Sequence, residues 1–188
     1  LLNNLAKTGA KFVFSHDLAA AAGATAAQVR RDVMAVGYTG SPTKGYEIAE
    51  LADSIARFID GEQPQPVALV GVENLGRAIL AYFTGRRPNL CIVAAFDRDE
   101  HRVNRVIHGC RCYPVELLEE TVAAKGIRTA IIAVPAGEAQ AVADRLVRAG
   151  VRGLLNFAPT PLRVPQNVFV QEMDITTSLE KVAFFARQ

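Results

Sequence analysis

One stretch, residues 66–76 with the sequence PVALVGVENLG, restricts the fold more than any other part of the chain. It predicts a buried strand, a glycine turn at Gly71, and a helix that begins near Asn74 and runs to Phe83. In dinucleotide-binding turns the first glycine makes the tight turn, the last permits close packing of helix on strand, and the helix N-terminus faces the pyrophosphate. The stretch therefore predicts a nucleotide-binding turn, with Gly71 first and Gly76 last.

The next predicted strand, residues 91–96, ends in Asp97, at about the 20-residue spacing expected for the acid that holds a ribose hydroxyl. Two further apolar strands, within residues 129–134 and 151–157, end in short polar or proline-containing segments. Ligands of parallel α/β sheets bind at the carboxyl ends of the strands. We therefore predict one cofactor-binding crevice. Its predicted residues are Gly71, Val72, Glu73, Asn74, Leu75, Gly76, Asp97, Val134, Pro135, Asn156 and Phe157.

The middle position of the turn departs from the dinucleotide fingerprint. The fingerprint is G-x-G-x-x-G, and its middle glycine lets the backbone approach the pyrophosphate, whereas this chain has Glu73 there. A carboxylate about 4 Å from a phosphate is repelled by roughly 4 kcal/mol at an effective dielectric constant near 20, which is roughly two to three orders of magnitude in affinity. Two interpretations stay open: Glu73 points to solvent and the site works, or the site has lost or changed its ligand.

Residues 1–46 predict a separate helical unit. Ser15 is expected to cap a helix over residues 17–22, which Gly23 ends. Thr25 is expected to cap a second helix over residues 26–36. Two short helices joined by a tight turn indicate a helix-turn-helix, although an alanine-rich helical hairpin with solvated arginines fits the pattern equally well.

The charge of this first segment favours DNA as its partner. Residues 1–46 carry five basic and two acidic side chains, a net charge of +3, although the whole chain has only +2. A turn-rich stretch at residues 38–46 follows the second helix, as in the wing of a winged helix, and its tip is able to reach a minor groove or a phosphate. The predicted DNA-binding residues are Gln28, Arg30, Arg31, Lys44 and Tyr46.

An amphipathic helix over residues 47–59 and a linker over residues 60–66 separate this unit from the rest. From Val67 onward strands and helices alternate, which predicts an α/β fold with a doubly wound, Rossmann-like parallel sheet. The other elements predicted there are helices over 115–125, 138–149 and 173–185, a short strand over 168–170, and a loop or short helix over 100–106.

Composition and motifs exclude several functions. No apolar run approaches the roughly 20 residues of a membrane span, and residues 1–4 do not form the charged start of a signal peptide. Cys110 and Cys112 form a lone C-x-C near His108, so we expect no metal site and a reduced, cytoplasmic protein. No catalytic set emerges, which fits sensing better than turnover, and we expect no enzyme. The chain lacks a starting Met, and we expect its first helix to be truncated.

The chain resembles the Rex family of redox-sensing transcriptional repressors over essentially its whole length. The matching segments are QVRRD at 28–32, GY at 45–46, VALVG at 67–71, NLGRA at 74–78, AAFD at 94–97, VPA at 134–136, NFAP at 156–159 and FF at 184–185. The resemblance implies a homodimer with a winged helix-turn-helix over residues 1–60, an NAD(H)-binding Rossmann domain over 65–171 and a last helix, 172–188, that is exchanged between subunits.

The resemblance also implies a redox switch in which NADH and NAD+ compete for the crevice and NADH releases operator DNA. By position, Tyr82 and Asp174 match family residues that pair across the dimer in one of its two states. Two features depart from the family: Glu73 replaces a glycine, and Pro42, Thr43 and Lys44 replace the usual arginine and glycine of the wing. The alternatives are therefore a DNA-binding paralogue with impaired or changed effector binding and, third, a small NAD- or coenzyme-A-linked enzyme.

Overall fold

The chain divides into two units, Leu1–Gln63 and Pro64–Gln188. The protein is represented by a computed structural model that describes residues 1–60, 64–85 and 89–187, without the side chains of Asn3, Lys7 and Asp60. Residues 61–63 of the predicted linker lie outside the described residues.

Four helices and a two-stranded sheet make up the described part of the first unit. The elements are α1 (Leu2–Lys7), β1 (Phe12–Val13), α2 (Ser15–Ala22), α3 (Ala26–Ala35), β2 (Tyr46–Glu47) and α4 (Ile48–Asp60). The two strands are antiparallel, with Val13 opposite Tyr46. Buried side chains of these elements form one apolar core, which contains Val13, Leu18, Ala19, Val29, Val33, Tyr46, Ile48 and Leu51.

The predicted pair of short helices, α2 and α3, is present, and the residues between them explain where α2 ends and α3 begins. Gly23 ends α2 in the left-handed conformation, with φ +63°, a geometry that glycine adopts without a steric penalty. Thr25 caps α3 as predicted, because its hydroxyl accepts a hydrogen bond from the Gln28 N–H at 3.2 Å. The prediction that Ser15 caps α2 is wrong. Ser15 is the first helical residue, and the Asp17 carboxylate accepts from the Phe14 N–H instead.

The second unit is built around a seven-stranded sheet in its described part. The strand order is β5-β6-β4-β3-β7-β8-β9, and every neighbouring pair is parallel except β5 with β6. The strands are β3 (Gln65–Val70), β4 (Leu90–Asp97), β5 (Val106–Ile107), β6 (Cys110–Pro114), β7 (Thr129–Ile132), β8 (Gly153–Asn156) and β9 (Phe169–Glu172). The predicted α/β class with a mainly parallel sheet is therefore confirmed.

Helices connect the parallel strands and give the sheet two apolar faces. The connecting helices are α5 (Asn74–Phe83), α6 (Leu118–Ala124) and α7 (Ala136–Arg148), with a short 3-10 turn at Val115–Leu117 before α6. Helix α8 (Ile175–Phe185) follows β9. Side chains of α6 and α7 belong to the larger buried cluster. Side chains of α5 belong to a second cluster, which also contains Cys110 and Cys112. The apolar side chains of α8, by contrast, are exposed.

The structure corrects three boundaries in this unit. A hairpin of β5 and β6, which was not predicted, begins at Val106, the last residue of the segment expected to be a loop or short helix (100–106). Its turn residues His108 and Gly109 both have positive φ, of 47° and 80°, as the two central residues of a type I′ hairpin require. Helix α7 begins at Ala136 rather than residue 138, because Pro135 is its N-cap. Helix α8 begins at Ile175, after the cap residue Asp174.

Candidate nucleotide-binding crevice

Gly71 makes the turn at the end of β3, in a geometry that only glycine fits. Its φ is +92°, and an added Cβ would clash with the backbone carbonyl oxygen of Ala133. The Gly71 N–H donates to the carbonyl of Phe96 at 2.9 Å, and the Ala133 N–H donates to that of Val70 at 2.8 Å. The turn is therefore fixed between β4 and β7, and its backbone is free of side-chain bulk.

Gly76 lets helix α5 pack on this turn. A Cβ at Gly76 would collide with the carbonyl oxygen of Gly71, so the close approach of helix to turn requires glycine. The N-terminus of α5 consequently lies directly after the turn, where its N–H groups and the helix dipole favour a phosphate group. This order of strand, glycine turn and helix is the one predicted from residues 66–76.

Glu73 is the N-cap residue of α5, and its side chain makes no capping hydrogen bond. The side chain is 68% exposed, and its Oε1 lies 3.9 Å from Nη1 of Arg102. The carboxylate therefore faces solvent and a neighbouring guanidinium, which weakens its repulsion of an anion in the turn. This conformation matches the first of the two interpretations left open for Glu73.

Asp97 ends β4, as predicted, and its side chain is 9% exposed. One carboxylate oxygen accepts from the Val72 N–H at 2.7 Å, and the other accepts from the Asp99 N–H at 2.9 Å. Arg102 Nη1 lies 3.3 and 3.4 Å from the two oxygens. Burial alone would raise the pKa of Asp97, but the two N–H groups and the guanidinium outweigh it and hold the pKa below its usual value.

The crevice lies between the carboxyl ends of β3, β4 and β7. Of the predicted residues, Gly71, Glu73, Asp97, Val134 and Pro135 line it. The other lining residues were not predicted, and they are Val70, Phe96, Arg98, Val115, Ala133, Glu138 and Val142. An ion pair of 2.5 Å between Arg98 and Glu138 joins the loop after β4 to the first turn of α7. The sequence offered one signal for this pair, namely opposite charges after β4 and β7, the two strands that flank β3.

The other predicted cofactor residues lie outside this lining. Val72 is buried, and Asn74 and Leu75 form the exposed first turn of α5. The Asn156 side chain is fully buried, and its amide donates to the carbonyl of Thr160 at 2.8 Å and to the Glu172 carboxylate at 2.5 Å. Asn156 thus supports the loop after β8 rather than facing a ligand. Phe157 packs against the apolar cluster that includes α5.

The predicted DNA-binding residues of the first unit divide into two groups. Gln28, Arg31 and Lys44 are exposed, and Arg30 is exposed with Nη1 3.2 Å from the Ser15 hydroxyl. Tyr46, in contrast, is 8% exposed and belongs to the core. Its burial argues for a packing role rather than for a contact with DNA.

The hairpin tip that carries Lys44 is held by reciprocal backbone hydrogen bonds. Ser41 and Gly45 each donate an N–H to the other's carbonyl at 2.8 Å. The Ser41 hydroxyl also accepts from the N–H groups of Thr43 and Lys44 at 3.3 Å. The tip is therefore ordered by its own backbone, and the exposed Lys44 side chain projects from it.

Tyr82 and Asp174, the predicted switch residues, lie on α5 and at the start of α8. Tyr82 is exposed. Asp174 is exposed and caps α8, accepting from the Thr177 N–H at 2.9 Å. Hydrogen bonds from the Thr177 side chain and N–H lower the pKa of Asp174.

The described part of the chain offers neither a metal-binding cluster nor a membrane-spanning helix. There, no group of three or more His, Cys, Asp or Glu side chains is placed to hold a metal ion. Burial raises the pKa of both Cys110 and Cys112 to about 11. Among the same residues, no helix combines the length and apolar character needed to cross a membrane.

Comparison with known proteins assigns the chain to a family. The family model described as a CoA binding domain matches residues 62–160. The redox-sensing transcriptional repressor Rex of Carboxydothermus hydrogenoformans is 41% identical over 100% of this chain and 90% of its own. The protein of the same name from Leuconostoc citreum is 38% identical over 98% of this chain and 85% of its own.

Solved structures agree over the same length. Crystal structures of RSP, a Rex-family repressor, cover 98% of this chain at 29–30% identity. The TM-score is 0.84 for RSP with beta-NAD+ and operator DNA, over 85% of that chain, and 0.83 for RSP with beta-NADH, over 86%. A parallel-sheet nucleotide-binding domain preceded by a helix-turn-helix unit defines a class of ligand-responsive transcriptional regulators. The chain belongs to the Rex family of redox-sensing transcriptional repressors, which confirms the resemblance and the prediction of a regulator rather than an enzyme.

Proposed function

We propose that the protein is a cytoplasmic, homodimeric repressor that binds operator DNA and releases it when NADH occupies the crevice. The observation that carries the proposal is the glycine turn at Gly71 with the N-terminus of α5 directly after it, in a chain that also exposes the basic side chains of α3. The RSP complexes with NAD+ and operator DNA and with NADH support the two ligands. NADH and NAD+ would act by their different affinities for two conformations of the dimer.

The first unit, residues 1–60, supplies the DNA contacts in this proposal, as a winged helix-turn-helix. Helix α3 enters the major groove with Gln28, Arg30 and Arg31, and Lys44 at the hairpin tip meets the backbone or the minor groove. The Ser15 hydroxyl holds the Arg30 guanidinium at 3.2 Å, which fixes its direction at the start of α2. Tyr46 anchors the hairpin to the core.

Residues 65–171 supply the nucleotide site. The Gly71 turn and the N-terminus of α5 receive the pyrophosphate, and Val134 and Pro135 form the opposite wall of the crevice. Glu73 is compatible with this role because its carboxylate is exposed and lies near Arg102. This conformation favours the NADH-responsive repressor over a paralogue that has lost its effector.

The dimer is formed in part by α8, in residues 172–188, which would be exchanged between subunits. Ile175, Leu179, Val182, Phe184 and Phe185 are each at least 60% exposed, and an apolar helix face of this size requires a partner surface. Tyr82 and Asp174 are both exposed, as a pairing across the dimer in one of its states demands.

Selection of bound duplexes from a random-sequence pool, followed by fluorescence anisotropy on the selected duplex, tests the proposal. NADH should weaken DNA binding, whereas NAD+ should leave it intact. Coenzyme A serves as a competitor, because the matching family model is described as a CoA binding domain. DNA binding that ignores NADH would support the effector-changed paralogue, and failure to select any duplex would reject the DNA-binding role.

Helix α3 is tested separately by the double variant Arg30→Ala plus Arg31→Ala. We expect it to lose binding to the selected duplex while light scattering still gives the mass of a dimer. Arg57→Ala is the control, because Arg57 lies on α4 and bonds to the Ser54 hydroxyl at 3.2 Å. Retained binding in the double variant would remove α3 from its assigned role.

A further inference from the structure

A recess lies between α3 and the hairpin of residues 38–46. Ser15 at the start of α2, with Arg30 and Met34 of α3, forms one side of this α3–hairpin recess, and the hairpin forms the other. All of its lining residues belong to the first unit. Its volume of about 350 Å³ falls within the range of about 300–1,000 Å³ that is usual for ligand sites. The recess is therefore large enough to receive a chemical group of a binding partner.

The two neighbouring arginines of α3 point in different directions. Val29 and Val33 mark the side of the helix that packs into the core. At about 100° per residue, Arg31 lies about 160–200° from these valines around the helix axis, whereas Arg30 lies only about 60–100° from them. Arg31 therefore projects straight away from the core, and Arg30 projects from the flank that faces the α3–hairpin recess.

The Arg30 guanidinium is held at the recess by the first residue of α2. Nη1 of Arg30 donates to the hydroxyl oxygen of Ser15 at 3.2 Å. A guanidinium has further N–H donors, and a hydroxyl that accepts one hydrogen bond still has its own O–H to donate. Within the described ranges, Arg30 has no carboxylate oxygen within 4.0 Å. The pair therefore offers hydrogen-bond donors and a positive charge without a counter-charge to an anion in the recess.

Apolar side chains line the recess beside this basic group. Phe14 and Met34 both line it, and their side chains are 39% and 66% exposed. A small inorganic anion would bind the guanidinium and leave these two apolar side chains in water. A segment of DNA backbone matches both features, because it carries an anionic phosphate next to a sugar ring that has an apolar face.

We propose that the α3–hairpin recess holds one phosphodiester of the operator backbone. Arg30 and the Ser15 hydroxyl donate to its phosphate oxygens, and Met34 and Phe14 pack against the adjoining sugar. Arg30 thus positions the protein on the duplex without reading its sequence, whereas Arg31 contacts base edges in the major groove. The inference rests on the proposed DNA-binding function and divides that function between two neighbouring arginines.

Neutral backbone linkages in the selected duplex test the inference. In a methylphosphonate linkage a methyl group replaces one anionic phosphate oxygen, and each linkage is substituted in turn. By fluorescence anisotropy, the full chain should lose about tenfold or more in affinity at the linkage that Arg30 contacts, because hydrogen bonds to charged groups are the strong ones. Arg30→Gln should be insensitive to that linkage. Ser15→Ala should lose part of the sensitivity, since Ser15 orients Arg30 and donates to the same phosphate.

Separate variants of the two arginines should change different properties of DNA binding. Arg30→Gln should weaken binding to the selected duplex and to a scrambled duplex by the same factor, and it should reduce the salt slope by about 0.9 for each subunit on the duplex. Arg31→Gln should instead narrow the affinity ratio between the two duplexes. Arg57→Gln is the matched control, because Arg57 makes the same contact, to the Ser54 hydroxyl at 3.2 Å, outside the recess. It should bind as the wild type does.

The outcomes separate this inference from the proposed function. If Arg30→Gln narrows the ratio between the selected and the scrambled duplex, Arg30 reads bases and the inference is wrong, while DNA binding and its release by NADH still stand. The inference is also overturned if every methylphosphonate effect of the wild type persists in Arg30→Gln. Failure of the wild type to bind any duplex rejects both. Arg30 and Arg31 are exposed, so circular dichroism should show an intact fold in both variants.

Discussion

The Asp97 carboxylate accepts a hydrogen bond of 2.7 Å from the backbone N–H of Val72. This contact joins the end of β4 to the turn after β3, beside the candidate crevice. Both partners are buried, so the N–H of Val72 would lack an acceptor if the carboxylate were removed. A buried N–H donor that is left without an acceptor destabilises the fold by about 1–3 kcal/mol.

In Asp97→Asn one carboxylate oxygen is replaced by an NH2 group, which cannot accept, so either the Val72 N–H or the Asp99 N–H loses its acceptor and Arg102 loses its counter-charge. We therefore expect this variant to lower the free energy of unfolding by about 1–3 kcal/mol near neutral pH. The folded-state pKa of Asp97 is lowered, so its ionised form stabilises the fold above the unfolded pKa of about 3.9, and this contribution is lost as the pH falls through the folded value. The difference in the free energy of unfolding between wild type and variant should be constant above about pH 5 and should shrink below about pH 4.

Urea denaturation over this pH range measures the effect of Asp97→Asn. Asp144→Asn is the control, because Asp144 is exposed and accepts from Gln140 at 2.8 Å. If the stability difference between wild type and Asp97→Asn stays unchanged down to about pH 2, the ionisation of Asp97 does not stabilise the fold in the way stated.

Gly76→Ala should disrupt the contact between α5 and the glycine turn. Its Cβ meets the backbone carbonyl of Gly71, which cannot move without shifting the turn, and overpacking of this kind costs about 1–3 kcal/mol or more. Gly137→Ala is the matched control, since Gly137 lies in α7 with nothing within 4 Å of the added Cβ. That control should gain about 0.5–1 kcal/mol. Thermal denaturation of the two variants compares them directly, and equal stability would refute the close-approach argument.

Arg145 and Glu119 form a bidentate ion pair between α7 and α6, with contacts of 2.6 and 2.5 Å. Arg145 also donates to the carbonyl of Val115 at 2.9 Å. The hydrogen bond from Arg145 is the main reason that the pKa of Glu119 is lowered. Because both side chains are partly exposed, a double-mutant cycle of Arg145→Met and Glu119→Gln should give a coupling of only about 0.5–1 kcal/mol. Strictly additive effects would show that the pair contributes nothing.

Glu73→Gly tests whether the departure from the dinucleotide fingerprint impairs binding. Since the Glu73 carboxylate is 68% exposed and 3.9 Å from Arg102, we expect the substitution to raise NADH affinity by less than about tenfold. Glu73→Gln should give a similar change, because it removes the charge and keeps the size. If calorimetric titration shows that NADH affinity rises by roughly a hundredfold or more, the Glu73 carboxylate does repel the pyrophosphate strongly.

The sequence predicted the parts of this fold that depend on local patterns. Helix α5 has the predicted bounds, Asn74–Phe83. A glycine turn sets its start, and apolar residues that recur at helical spacing without interruption set its length. Thr25 caps α3 for the same local reason. The β5–β6 hairpin was missed, yet Cys110 and Cys112 alternate with exposed Arg111, and a two-residue turn precedes them. The hairpin signal was therefore present but short.

Contacts between residues far apart in the sequence could not be predicted from local sequence patterns. Nothing local indicates that Asn156 would turn inward to Glu172, at 2.5 Å, because that pairing depends on β9 lying beside β8. Arg102 reaches Asp97 because the chain turns back at residues 100–104. Burial of Tyr46 likewise follows from its pairing opposite Val13. The burial and the partners of side chains that depend on tertiary contacts are therefore known only from the structure.

The inward-facing thiols of β6 give the chain an internal reporter of local opening. Cys110 and Cys112 are buried, and burial raises the pKa of each to about 11. Only the thiolate reacts with alkylating reagents, so burial and the raised pKa together slow the modification of both thiols at neutral pH. The rate at which Cys110 and Cys112 are alkylated therefore reports how readily this edge of the sheet exposes them.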